Sequence, residues 1–168
     1  MKIGIDASRA NSREKTGTEW YSFRLIQEFK KIADSNDQFF LYSKEGLDFG
    51  LENLPSNFKS RVLRWPPKFL WTQIRLSIHL LFNKADVLFV PAHTLPLINC
   101  RKTVLTVHDI GFERFEQLYS QKIIGPRNFV KKLINLGVRV VTLGRYGSNE
   151  LDYHRWAMKY AIEHASII

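Results

Sequence analysis

The stretch Thr103-Val104-Leu105-Thr106-Val107-His108-Asp109 constrains this chain more than any other. Apolar or β-branched side chains fall on both faces of a period-two segment, as a strand buried on both sides requires. Such strands belong to parallel sheets covered by helices, which predicts an α/β fold. Open α/β sheets bind ligands beyond the carboxyl ends of their strands. His108 and Asp109 stand at that end. Either they carry chemistry, or His108 is a hydrogen-bonded structural histidine and Asp109 a turn or cap residue.

The rest of the chain repeats the theme. Short apolar runs predict strands at residues 3–5, 38–43, 61–65 and 86–90. Thr16-Gly17-Thr18 opens a helix running to about residue 32, with Thr18 as N-cap and Trp20, Phe23, Ile26, Phe29 and Ile32 as its core stripe. A second helix spans 68–83. Its polar positions Lys68, Thr72, Arg75, His79 and Asn83 form one narrow stripe, so the helix is mostly buried or lies against a membrane or partner, with His79 an ordinary surface histidine. Residues 128–136 suit a short basic helix, and 138–143, bracketed by Gly137 and Gly144, have strand character. Ser148 caps a last helix, 149–164, whose core residues are Leu151, Trp156, Tyr160 and Ala161. Ser166-Ile167-Ile168 looks like a further strand cut off at its start. The order predicts a doubly wound, Rossmann-like parallel sheet in one domain, 1–168, with 124–149 as a basic insertion.

Charge bears on partners. The 168 residues carry a net charge of +9, and two segments concentrate it. Residues 53–85 hold Lys59, Arg61, Arg64, Lys68, Arg75 and Lys84 without an acid. Residues 117–149 hold Lys122, Arg127, Lys131, Lys132, Arg139 and Arg145, again without one. Lys68, Arg75, Lys131 and Lys132 are the candidate contacts for an anionic membrane surface; a solvated basic face with no specific partner is the alternative. A lone cysteine, Cys100, excludes an internal disulfide and fits a reducing compartment.

Several chemistries lack their motifs. There is no G-x-G-x-x-G, no phosphate-binding P-loop, no nucleophile elbow and no cysteine–histidine metal spacing, so neither cofactor nor metal is expected. Gly17 before a helix either lets a ligand phosphate reach backbone N–H groups or is a plain turn glycine. His93, in the proline-bracketed loop after the strand at 86–90, is either a ligand contact or a structural histidine.

Ile3-Gly4-Ile5-Asp6-Ala7-Ser8-Arg9 followed by Thr16-Gly17-Thr18-Glu19-Trp20-Tyr21 resembles the amino-terminal signature of the family 4 retaining glycosyltransferases. Residues 86–96 are similar to their acceptor-side loop, and Thr106-Val107-His108-Asp109-Ile110-Gly111-Phe112 to their histidine–aspartate motif. Residues 153–168 resemble the helix and strand that follow. The nearest subgroup is the bacterial mannosyltransferases of surface polysaccharide synthesis. The resemblance implies the acceptor-side, amino-terminal half of a GT-B fold. It further implies transfer of a sugar such as mannose from a nucleotide sugar to a saccharide or lipid-linked acceptor, without a metal. Gly17 and Thr18 would meet the donor diphosphate, His108 the transferred sugar with Asp109 as its neighbour, and Arg9, His93 and Thr94 the acceptor. A carboxyl-terminal nucleotide-binding domain would complete the enzyme, which is expected to be inactive without it and to work in the cytoplasm, peripheral to the inner membrane. The competing expectation is a non-catalytic basic module for anionic membrane or nucleic acid, although no nucleic-acid-binding motif is present.

Overall fold

A computed structural model describes residues 1–65, 70–119, 128–141 and 143–168. Strands β1 (Lys2–Asp6), β2 (Gln38–Ser43), β3 (Phe58–Val62), β4 (Val87–Val90) and β5 (Lys102–Leu105) form one sheet in the order β3-β2-β1-β4-β5. Every pairing is parallel. Helix α1 (Gly17–Ile32) links β1 to β2. A π-helical turn (Trp71–Leu76) running into α2 (Ser77–Phe82) links β3 to β4. The chain therefore builds outward from β1 to β3, then crosses back to the other side of β1 for β4 and β5. This is the strand order of a doubly wound, Rossmann-like sheet, and its switch point lies between β1 and β4.

Alternation along the strands divides the core. Ile3, Ile5, Phe39, Leu41 and Phe89 gather with Phe23, Ile26 and Phe29 of α1 in one cluster. On the other face Thr72 meets Asp6 and the ring of His79 meets that of Tyr42 at 5.2 Å. Gly4 is required there. A Cβ at this position would lie 2.6 Å from the Tyr42 ring. Past β5, Ile167 bridges Val104 in parallel and accepts the Leu105 N–H at 3.0 Å, so the last residues do run beside the sheet.

Several elements depart from expectation, each for a local reason. The N-cap of α1 is Thr16, two residues earlier than Thr18, because Glu19 at the third helical position accepts the Thr16 N–H at 3.2 Å and also its hydroxyl. Only the middle of the α1 stripe is covered: Trp20 and Ile32 are exposed. Trp20 instead joins Phe23 and Phe49 around the Lys15 ammonium, 5.0 to 5.7 Å from the three ring centres, a cation–π arrangement that holds its apolar ring at the surface. Strand β3 begins three residues before the predicted 61, because the Phe58 ring stacks on Phe39 at 4.4 Å and fixes the register Phe39–Phe58.

The second helix also differs from its pattern. Leu70 sits in the left-handed region (φ 57) and the first turn is π-helical. Thr72, Arg75 and His79 of the polar stripe face the protein, whereas Asn83 is exposed. Thr72 and His79 reach the sheet, and Arg75 Nε donates to the Arg64 carbonyl at 3.2 Å. Ile78, Leu81 and Phe82 are exposed instead. His79 is thus no ordinary surface histidine; burial, with Arg75 and Arg61 adding to it, pushes its pKa down.

By compactness the chain forms two units: Met1–His108 with His164–Ile168, and Asp109–Glu163. The second contains α3 (Gly111–Arg114), a 3-10 turn (Glu116–Leu118), α4 (Asn128–Val141) and nearly all of α5 (Glu150–His164). The strand predicted at 138–143 is not formed; α4 continues through Gly137 to Val141. Leu143 and Gly144 end it with positive φ, and the Gly144 N–H reaches back to the Arg139 carbonyl at 2.6 Å, as in a Schellman closure. Asn149, not Ser148, caps α5: its side-chain oxygen accepts the Asp152 N–H at 2.7 Å. Ser148 is used otherwise, both its N–H and its hydroxyl donating to Asn135 Oδ1 of α4. Of the core expected for α5, Leu151 and Ala161 are buried together with Ala157 and Met158, whereas Trp156 and Tyr160 are only half-buried and stack on each other at 5.8 Å. The predicted insertion 124–149 lies partly outside the described residues.

Candidate functional site at the switch point

Three segments leave the carboxyl edge of the sheet around the switch point: the loop after β1, the loop after β4 and the extension of β5. Pro91, directly after β4 and fully buried, joins two of them to α1. Its carbonyl lies 3.3 Å from the Ser22 hydroxyl of α1 and 3.1 Å from Nε2 of His108. A carbonyl oxygen only accepts, so Nε2 carries the proton. Nδ1, the other ring nitrogen, has no partner among the described residues and is the atom left to meet a ligand. Tyr21 packs edge-on against this imidazole with ring centres 4.9 Å apart, and its hydroxyl is 3.1 Å from Thr106 Oγ1. Two elements thus hold His108 in one orientation.

Tyr21 stands one turn along α1 from Gly17. The glycine has ordinary helical φ, and a Cβ there would meet nothing within 4 Å. Neither backbone conformation nor packing requires glycine at this position. With no side chain at position 17, the Gly17 and Thr18 N–H groups stay uncovered, whereas the capping box of Thr16 with Glu19 already occupies the next donor and sets a carboxylate beside them. Thr18 follows, half-buried, its carbonyl taken by Ser22 and its hydroxyl making no hydrogen bond among the described residues. Arg9 is exposed, and its Nη1 lies 3.3 Å from Glu19, which ties the loop after β1 to the start of α1. Burial alone would raise the Glu19 carboxyl; donors from Thr16 and the backbone, with Arg9, outweigh it and hold the group below its ordinary range.

His93 and Thr94 lie half-buried on the loop after β4, anchored by the fully buried Leu95 and Pro96. Asp109 belongs to the other unit, where its carboxylate accepts the Gly111 N–H at 2.9 Å in a local turn. Lys131 is half-buried and Lys132 exposed on α4, Arg75 is half-buried on the π-helical turn, and Lys68 lies outside the described residues.

One participant was not singled out from the sequence. Asp6 ends β1 with 4% of its surface exposed, accepting the Ser8 N–H and the Thr72 hydroxyl, each at 3.0 Å. Burial raises its pKa, and the two donors and Arg9 offset this only in part. Its signal in the sequence is an acid directly after a buried apolar strand. Thr72, 66 positions away, gives none.

Among the described residues no cluster of three or more histidine, cysteine or acidic side chains could hold a metal ion, and no helix is long and apolar enough to cross a membrane. Set against family models, characterised proteins and solved structures, the chain matches none.

Proposed function

We propose that this chain is the acceptor-side part of a sugar-nucleotide-dependent, retaining glycosyltransferase. The observation that supports it best is the pairing of an oriented His108 with a helix start left without a side chain at Gly17, one turn from the tyrosine that packs on that histidine. Glycosyl transfer breaks the bond between the sugar and a diphosphate leaving group. Negative charge grows on the departing oxygen, and backbone N–H groups at the start of α1 are suited to receive it. His108, its Nε2–H committed to Pro91, presents Nδ1 to a hydroxyl of the transferred sugar and fixes its position. The loop after β4, with His93 and Thr94, and Arg9 after β1 form the acceptor side. A second α/β domain supplies the nucleotide pocket. Docking on an anionic membrane belongs to this reading, supported by the exposed Lys132 and Arg139 beside the exposed Leu136 and Val140 of α4.

The test is calorimetric titration of the chain with nucleoside diphosphates and mannose-bearing nucleotide sugars. Sugar transfer is then assayed with and without an added carboxyl-terminal glycosyltransferase domain. Donor binding that weakens in Gly17→Ala, and transfer that disappears in His108→Ala, are the expected results. Failure to bind any nucleotide sugar, together with no transfer in either assay, overturns the proposal.

A further inference from the structure

At the carboxyl ends of β2 and β3, away from His108 and Gly17, lies an open pocket of about 760 Å³ lined by Lys44, Glu45, Gly46, Val62, Arg64, Trp65 and Arg75. Its volume is that of a small-molecule site. Three cations face one carboxylate around it. Neither Arg64 nor Arg75 pairs with an acid among the described residues. Arg75 is held in place at the wall, because its Nε donates to the Arg64 carbonyl at 3.2 Å and leaves the terminal N–H groups unspent. A guanidinium fixed in this way is pre-organised for a planar or tetrahedral oxyanion. Gly46 keeps the opposite rim open, since a Cβ there would meet nothing within 4 Å. The rim is also rigid: Asn11 donates from Nδ2 to the Gly46 carbonyl at 2.9 Å and accepts the Asp48 N–H at 2.8 Å. The positive field extends inward, where Arg75 and Arg61 add to burial in pushing the His79 pKa down. Trp65 supplies the apolar wall that a sugar face covers.

We propose that this pocket is a second binding site, for a small phosphorylated sugar, with the phosphate on Arg64, Arg75 and Lys44 and the sugar ring on Trp65. It stands on its own residues and does not depend on the transfer reading of the switch-point site. A phosphate brings two negative charges to three cations, so phosphate supplies the affinity and the ring the selectivity.

The experiment is an NMR titration of the full chain with glucose 1-phosphate, inorganic pyrophosphate and glucose, following the Gly46 amide and the Trp65 indole N–H. Both phosphate-bearing probes are expected to move these signals, and glucose at the same concentration to leave them still. Arg64→Gln, an exposed side chain whose loss spares the fold, and Arg75→Gln should each weaken binding about tenfold or more, the scale of one charge-assisted hydrogen bond. Gly17→Ala should leave it unchanged. Trp65→Ala should weaken glucose 1-phosphate; an unchanged affinity overturns the placement of the ring. Absence of binding by both phosphate probes overturns the site itself. So does binding indifferent to both arginine substitutions, or binding lost in Gly17→Ala.

Discussion

The hydroxyl of Thr72 donates to the carboxylate of Asp6 at 3.0 Å, joining the left-hand-started π-helical turn to the end of the central strand. Burial is the largest influence on this carboxyl and raises its pKa. A group whose folded pKa lies above its unfolded value of about 3.9 stabilises most below that value, and the contribution is lost as pH rises through the folded pKa. The stability of the wild-type chain relative to Asp6→Asn should therefore fall as pH is raised from about 4, by up to about 1.4 kcal/mol per pH unit, and then level off. Urea unfolding across pH measures it. A difference that grows with pH would mean that the donors from Ser8 and Thr72 outweigh burial.

Gly4 and Tyr42 give a prediction about the core alone. A methyl at position 4 would stand 2.6 Å from the Tyr42 ring, and that ring is 2% exposed and cannot swing into solvent. Gly4→Ala should cost about 1–3 kcal/mol, as overpacking does. Gly4→Ala combined with Tyr42→Leu should lose less than the sum of the single changes, since each relieves the other's strain or void. Additivity would place the cost of Gly4→Ala elsewhere.

What the sequence made legible follows from how local each signal is. Residues 38–43 are a strand because six consecutive side chains say so, and α1 and α5 have helical spacing of their own. β3 slipped by three because its register depends on Phe39, a partner in another strand. The run Val138-Arg139-Val140-Val141 suits a strand or a helix equally by residue type; the Schellman closure at Gly144 favours the helix, against a cost of about 1 kcal/mol for Gly137 relative to alanine. The position of His108 was visible from strand polarity. Its orientation was not, since Pro91 and Tyr21 come from two other elements. The Leu70 backbone and the choice of Thr72 as the partner of Asp6 have no sequence signature.

Gly17→Ala separates ligand approach from a plain turn. Alanine fits the space and is the better helix former by up to about 1 kcal/mol, so stability should hold or rise. Affinity for a nucleoside diphosphate should drop about tenfold, as the methyl intrudes on the N–H groups at the start of α1. Calorimetry on the variant decides it. Unchanged affinity returns Gly17 to the role of a turn residue.

His108→Ala removes one hydrogen bond and one ring contact from a strand extension, for which about 0.5–1.5 kcal/mol of stability is expected. Turnover in the complemented enzyme should fall by about two orders of magnitude, the scale of one lost transition-state hydrogen bond. A large drop in melting temperature with turnover per folded molecule preserved would make His108 a structural residue.

On α4, Lys132, Leu136, Arg139, Val140 and, just beyond, Leu143 fall at spacings of four, three, one and three, and all five are exposed. The spacings from Lys132 to Val140 put basic and apolar side chains on one face of the helix, and Leu143 follows past its end. Leu143 is 95% exposed, which water disfavours and a membrane interface accepts. Near an anionic surface each basic residue contributes roughly 1 kcal/mol, and the attraction weakens as salt screens it. Co-sedimentation with vesicles containing phosphatidylglycerol should therefore exceed that with neutral vesicles and decline with added salt. Lys132→Glu with Arg139→Glu should abolish the preference, because two attractive charges become repulsive. Leu143→Ser should weaken binding to anionic vesicles at every salt concentration, since the apolar contribution is not screened. Equal binding to neutral and anionic vesicles, or an undiminished preference in the double variant, would remove this face from any membrane role.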